Sequence, residues 1–258
     1  CEGTSMSDTP EKQSTQHKHI PSELEFEKRD LAERFAHRYT ASPLDLVPHP
    51  SPQLVESTVE VIVPTPHGNF GVRAWRFADG AEHMSIRALD DQGNPIAFSG
   101  EAQIPAVRIH SECATGDILG SFRCDCGQQL ENGLKILSRY GGWMLYIRNH
   151  EGRGIGLVNK LRAYALQDVG LDTLDANLAL GLDEDMRDYT QAALILQELG
   201  VHKLRLITNN PAKVDALTEL GLEVHEVIPD EIPARAENAK YLETKRRRMG
   251  HRLHGPSI

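Results

Sequence analysis

Hydrophobic and polar positions divide the chain near residue 59. Residues 1–21 are polar and rich in Ser, Thr, Gln, Lys and His, a composition that buries too little apolar surface to order itself. Over residues 22–40, Leu24, Phe26, Leu31 and Phe35 follow Ser22 as an N-cap and predict one helix. Residues 41–56 carry four prolines and read as a linker. The expected organisation is an N-terminal extension over 1–58 and one domain over 59–258.

Inside that domain the period changes. VEVIVPT, NFGVRAWRF and PAVRIH are β-rich, with Gly and Asp-Gln-Gly-Asn turns between them. From residue 128 helices and strands alternate. QQLENGLKILSRYG has helical spacing and WMLYIR is a buried strand. VNKLRAYALQDVG and DYTQAALILQELG are helices, the second stopped by Gly200. KLRLITNN is a strand, PAKVDALTELG a helix with Pro211 in its first turn, and LEVHEVI the last strand. ENAKYLETKRRRMG closes the chain as a helix whose basic run, residues 245–248, reads as a solvated end that suits the helix dipole. The pattern predicts an α/β fold, a mixed sheet with flanking helices and a β-rich N-terminal half.

Hydrophobic residues at 40% and charged residues at 25% are an ordinary globular balance, and the apolar runs fall far short of the ~20 residues a membrane span needs. A net charge of -9 argues against the basic face of a nucleic-acid binder but leaves room for a few Arg and Lys around a small anion. No nucleic-acid or membrane partner is therefore expected. CEGTS ahead of Met6 reads as an added scar, with a lipidated Cys1 as the rival reading. Four cysteines make no disulfide framework, so a cytoplasmic location is expected.

The cysteines carry the first chemical signal. Cys113, Cys124 and Cys126 follow a C-x10-C-x-C spacing, and no fourth Cys completes the set. Three thiolates with an open fourth position match a catalytic zinc site rather than a structural one. Three further segments have simpler explanations when taken singly. HEGRGIGL, residues 150–157, is a sharp strand-to-helix turn able to hold an anion. The acidic run around Asp183, Asp185 and Asp188 suits a helix N-terminus. TNNPAK, residues 208–213, offers Thr208, free amides and Lys213 either as a cap or as a phosphate site.

Together RIHSEC, CDCG, HEGRGIGL, NK-R-AYALQD, D-T-DAN, D-RDY, LITNNPAK and YLETKRRRMGH resemble one family, GTP cyclohydrolase II, over roughly residues 60–253. The resemblance makes 59–258 the catalytic domain. It implies that GTP is hydrolysed at one site: the imidazole ring opens at C8, and formate and pyrophosphate leave. The product would be 2,5-diamino-6-ribosylamino-4(3H)-pyrimidinone 5′-phosphate, at the first step of riboflavin biosynthesis. It implies one Zn2+ per chain on Cys113, Cys124 and Cys126, Mg2+ entering with the triphosphate, and a homodimer. Asp185 matches the proton acceptor, Arg187 a residue at the α-phosphate, and Tyr164 a group near the base. A guanidinium stays protonated, so Arg187 suits phosphoryl stabilisation better than nucleophilic attack.

The implied GTP contacts are Arg108, Ile109, His110, Ser111, Glu112, Gln129, Glu151, Gly152, Arg153, Thr173, Thr208 and Lys213. His150 stands where the family usually has Gln. Two alternatives stay open: a paralogue that keeps the formyl group or serves a specialised pathway, and a catalytically silent zinc or nucleotide-binding domain. Tyr164 argues against retention of the formyl group. Asp185, Arg187 and the complete thiol set argue against the second.

Overall fold

The computed structural model describes residues 50–98, 103–183, 185–230, 232–235 and 237–248. The tail and the helix expected over 22–40 lie outside the described residues. Eight strands form one sheet: β1 (Leu54–Ser57), β2 (Val61–Thr65), β3 (Gly68–Phe77), β4 (Glu82–Leu89), β5 (Ala106–Ser111), β6 (Trp143–Ile147), β7 (Lys203–Ile207) and β8 (Glu223–Ile228). Their order is β1-β3-β4-β6-β5-β7-β8, with β2 also paired to β3. Strands β1 to β4 are antiparallel to their neighbours, and β4 joins β6 antiparallel. Strands β6, β5, β7 and β8 run parallel. The mixed α/β sheet that the sequence predicts is thus present, with its antiparallel half first in the chain.

The helices are α1 (Ala114–Asp117), α2 (Cys126–Tyr140), α3 (Gly156–Asp168), α4 (Thr173–Ala179), α5 (Thr190–Glu198), α6 (Pro211–Glu219) and α7 (Ala239–Arg248). Val107 and Ile109 of β5 pack with Trp143, Leu145 and Ile147 of β6 against Ala192, Ile195 and Leu196 of α5 and Leu217 of α6. On the other face Phe70, Ala106 and Met144 meet Leu137 of α2. The central strands are therefore covered on both faces, which explains the continuous apolar run WMLYI of β6. A smaller cluster, including Ile155, Ala163, Leu166, Ala176 and Leu180, joins α3 to α4.

Three elements depart from the sequence pattern. Strand β1 begins within the stretch read as linker, runs one residue past it, and pairs with β3. Strand β4 escaped notice because its inward side chains include His83 and Ser85. Both are buried with partners: His83 Nε2 lies 2.7 Å from Gln191 Oε1, and Trp75 Nε1 donates to Ser85 Oγ at 2.9 Å. Helix α4 has a conventional start, the Asp172 carboxylate accepting from the Leu174 and Asp175 amides, but it is only 7 residues long.

Chain order fixes where a ligand can sit. From β5 the chain moves to β6 on one side, then returns past β5 to β7 on the other. The carboxyl ends of these parallel strands therefore flank a topological switch point, where open α/β sheets bind their ligands.

Candidate active site

A cleft opens at that switch point, lined from the ends of β5, β6 and β7 and from α3, the place where open α/β sheets hold small molecules. Ser111, Glu112 and Cys113 enter it from the end of β5, His150 and Glu151 from the turn after β6, and Thr208 and Asn210 from the end of β7. Helix α3 contributes Lys160, Ala163, Tyr164 and Gln167, the i, i+3, i+4, i+7 positions of one face.

The thiols form one pole. The sulfurs of Cys113, Cys124 and Cys126 lie within 4.8 Å of one another, and Cys113 and Cys124 are 3.7 Å apart. A tetrahedral zinc with ~2.3 Å bonds spaces its thiolates about 3.8 Å apart, so the donor set fits that ion. Hydrogen bonds from Cys124 and Cys126 hold the Cys113 thiol well below its ordinary range, and the bond to Cys113 pushes Cys124 up to about 11. A divalent cation relieves this competition for one proton-free sulfur. Gly116 completes the cradle. A Cβ there would lie 3.0 Å from Cys124 Sγ and 3.1 Å from Cys113 Sγ.

Buried ions brace this pole. Lys160 Nζ donates to Cys113 Sγ at 3.1 Å and to Glu151 Oε1 at 2.5 Å. Burial pushes its ammonium down, but Cys113 and Glu151 outweigh that and raise it. Glu151 Oε2 accepts from the Ala114 amide at 2.6 Å. Asp117 accepts from the Cys113 amide, Tyr146 Oη and His110 Nε2 at 3.0, 2.8 and 3.1 Å. Between two of the thiols, Asp125 accepts from Lys245 Nζ at 2.8 Å.

A second pole of the cleft is cationic. Arg153 sits at φ 69 among Gly152, Gly154 and Gly156, all at positive φ. The turn needs those glycines because L side chains pay sterically in the left-handed region. Nη1 and Nη2 of Arg153 are buried with no hydrogen-bond partner among the described residues. Lys213 Nζ, also buried, donates to the Ile109 carbonyl at 2.8 Å. Burial, then Arg187 and Arg108, push it well below its ordinary range. Arg187 makes a two-pronged pair with Asp185, with Nε donating to Oδ1 at 2.8 Å. Burial raises the Asp185 carboxyl, but Arg187 outweighs it and leaves it below the carboxylate range. Orphaned guanidinium donors and a desolvated ammonium lining one cleft call for an anion.

The chain matches the GTP cyclohydrolase II family over residues 56–229. It is 49% identical over 201 residues to a riboflavin biosynthesis protein RibBA of Salinispora tropica, covering 77% of this chain and 48% of that protein. A protein of the same name from Rhodococcus erythropolis is 50% identical over 198 residues, covering 76% of this chain and 46% of that one. This chain belongs to the GTP cyclohydrolase II family. It spans about half the length of those curated relatives. RibBX, a two-domain 3,4-dihydroxy-2-butanone 4-phosphate synthase from A. baumannii, has a solved structure that aligns at 16% identity and a TM-score of 0.36. That alignment covers 84% of this chain and 52% of that one, a likeness too distant to bear on fold or chemistry.

The residues that the family resemblance singled out converge. Arg108, Ile109, His110, Gln129, Gly152, Arg153, Thr173, Thr208 and Lys213 all line the cleft with Ser111, Glu112, Glu151, Tyr164 and the thiols. Asp185 does not line it and reaches it through Arg187, which does. Glu151 already holds Lys160 and the Ala114 amide, so its free acceptor capacity is small. Sequence reasoning missed Lys160, Asp117, Asp125 and Lys245 as parts of the site. The basic run is solvated at Arg246 and Arg247, whereas Lys245 is buried in the cleft wall. Only the NK-R-AYALQD stretch offered a cue, since Lys160 stands one turn before Tyr164.

His150 shows how the family's usual Gln can be replaced. Its Nε2 lies 2.8 Å from the Asp188 carbonyl and its Nδ1 lies 3.1 Å from Ser111 Oγ. A neutral imidazole that donates from Nε2 and accepts at Nδ1 provides the donor and acceptor of an amide. Burial, then Arg187, push its pKa down to about 3, which keeps that neutral form.

Proposed function

We propose that this chain hydrolyses GTP, opening the imidazole ring at C8 and releasing formate and pyrophosphate. The product is 2,5-diamino-6-ribosylamino-4(3H)-pyrimidinone 5′-phosphate, the first intermediate of riboflavin biosynthesis. One observation carries the reading: a three-thiol metal cradle and buried, anion-seeking cations share one cleft. Zinc on Cys113, Cys124 and Cys126 would supply Lewis acidity and activated water for hydrolysis at C8.

The chain's own groups then have distinct tasks. Arg153 and Lys213 hold phosphate oxygens, with Mg2+ carried in by the triphosphate. Arg187 stays protonated and stabilises charge at the α-phosphate. As it turns to phosphate it loosens from Asp185, whose carboxylate becomes free to accept a proton. Burial raises the Tyr164 phenol, so Tyr164 acts as a proton donor. Arg108 is fixed by Asp230 and Gln129 at the nucleotide side of the cleft.

A homodimer in the cytoplasm completes the proposal. Leu157, Val158 and Leu161 are exposed on α3, and Leu178 is exposed on α4, an apolar surface for a second copy to bury. Among the described residues no helix is long and apolar enough to cross a membrane.

The test is incubation of purified protein with GTP and Mg2+, with formate, pyrophosphate and pyrimidine quantified by mass spectrometry. Equal formate and pyrophosphate, both lost in Cys124→Ser, are the expected result. A pyrimidine that keeps its formyl group would overturn the complete reaction. A zinc-loaded protein inert toward GTP would overturn the whole reading.

A further inference from the structure

One buried cation touches the thiol trio directly. Lys160 is 7% exposed, and its ammonium spans Cys113 Sγ at 3.1 Å and Glu151 Oε1 at 2.5 Å. The other oxygen of Glu151 accepts from the amide of Ala114, the residue after Cys113, at 2.6 Å. The pair thus grips Cys113 twice, at its sulfur and at the peptide that follows. A lysine needed only to neutralise Glu151 has no reason to approach the sulfur so closely.

We propose that Lys160 is a positioning residue for the zinc site. Its hydrogen bond to the Cys113 thiolate aims that sulfur at the ion and offsets part of the negative charge that three thiolates bring to one divalent cation. Donors to ligating atoms fix ligand direction and tune the metal, and their loss weakens metal affinity by ~10–100-fold. Withdrawing charge from Cys113 also leaves the ion more electron-poor toward its fourth ligand. This inference rests on the reading that the trio holds zinc.

Zinc affinity of the purified protein, measured by competition with a chromophoric chelator, tests it. The variants are Lys160→Met, Lys160→Arg and the double variant Lys160→Met with Glu151→Gln. Wild-type zinc binding that disappears in Cys124→Ser establishes the trio as the site independently of Lys160. Its absence would sink that earlier reading instead. With zinc bound, Lys160→Met is expected to bind it about 10–100-fold more weakly, and Lys160→Arg to recover part of the loss. Lys160→Met alone leaves the Glu151 carboxylate buried without its ammonium, and its folding is checked by melting in chelator. The double variant removes that burden and should fold yet stay weak for zinc. In Co2+-substituted protein, the thiolate-to-cobalt charge-transfer band should shift in both Met variants, because Cys113 loses its donor. Wild-type zinc affinity in the folded double variant would mean that Lys160 serves only Glu151, and the proposal would be wrong.

Discussion

The two poles of the cleft are built in opposite ways. At the thiol pole each buried charge has a partner within the protein: Lys160 with Glu151, Lys245 with Asp125, and Asp117 with Tyr146 and the Cys113 amide. At the cationic pole Arg153 has buried donors with no acceptor among the described residues, and Lys213 donates to the Ile109 carbonyl and lies over the Tyr189 ring. The first pole is organised before any ligand arrives. The second carries a desolvation cost that an anion relieves, so binding energy is stored where the phosphates are proposed to sit. Metal affinity and nucleotide affinity should therefore respond to different mutations.

The largest break in that comparison is Cys124→Ser. Turnover should fall by about a thousand-fold or more, since the ion supplies several kcal/mol, while binding of a non-hydrolysable GTP analogue by titration calorimetry survives. Next, Arg153→Met should weaken that analogue by about 2 kcal/mol, roughly thirtyfold, the worth of a charged hydrogen bond. Zinc affinity should not change, and the ligand-free melting temperature should not drop, because the lost guanidinium was unsatisfied. A fall in zinc affinity would erase the distinction between the poles.

Gly116→Ala sharpens the same comparison from the other side. Its Cβ would meet Cys124 Sγ at 3.0 Å, so zinc should bind about tenfold more weakly with analogue binding retained. The smallest effect at neutral pH belongs to His150→Gln, which should alter stability by about 1 kcal/mol or less, since the amide offers the same donor and acceptor. In acid the sign is definite. The folded His150 titrates at about 3 against an ordinary 6.5, so the unfolded chain takes up the proton first as pH falls. The wild-type protein should lose stability between those two values, and His150→Gln should lose less. Urea midpoints across that range read the difference, and parallel curves would show that His150 is not buried neutral.

Legibility in the sequence also separates by region. The parallel half announced itself: LITNNPAK gives β7, then Asn210 capping α6 with Pro211 in its first turn, and Gly200 ends α5 at φ 74. In the antiparallel half β1 hid in the proline-rich stretch and β4 behind polar side chains that find partners from distant segments. The site divides the same way. The Cys124–Cys126 pair and the glycine turn at 152–156 are local and were visible. Asp185 was named from the family pattern, yet its attachment to the cleft through Arg187 needed coordinates.

The sequence by itself determined the alternation of strands and helices, the thiol set and the identity of most cleft residues. Periodicity, capping and ligand spacing act over a few positions, and the family motifs repeat those local signs. Only the tertiary structure decided which charges are partnered. Lys160 meets Cys113 across 47 residues, Lys245 meets Asp125 across 120, and the guanidinium of Arg153 meets no acceptor among the described residues. Such pairings depend on which segments the sheet order brings to the switch point, and on how deeply each is buried. Neither quantity is encoded in neighbouring residues. For that reason Lys245, read as part of a solvated helix end, proved to be part of the wall of the site.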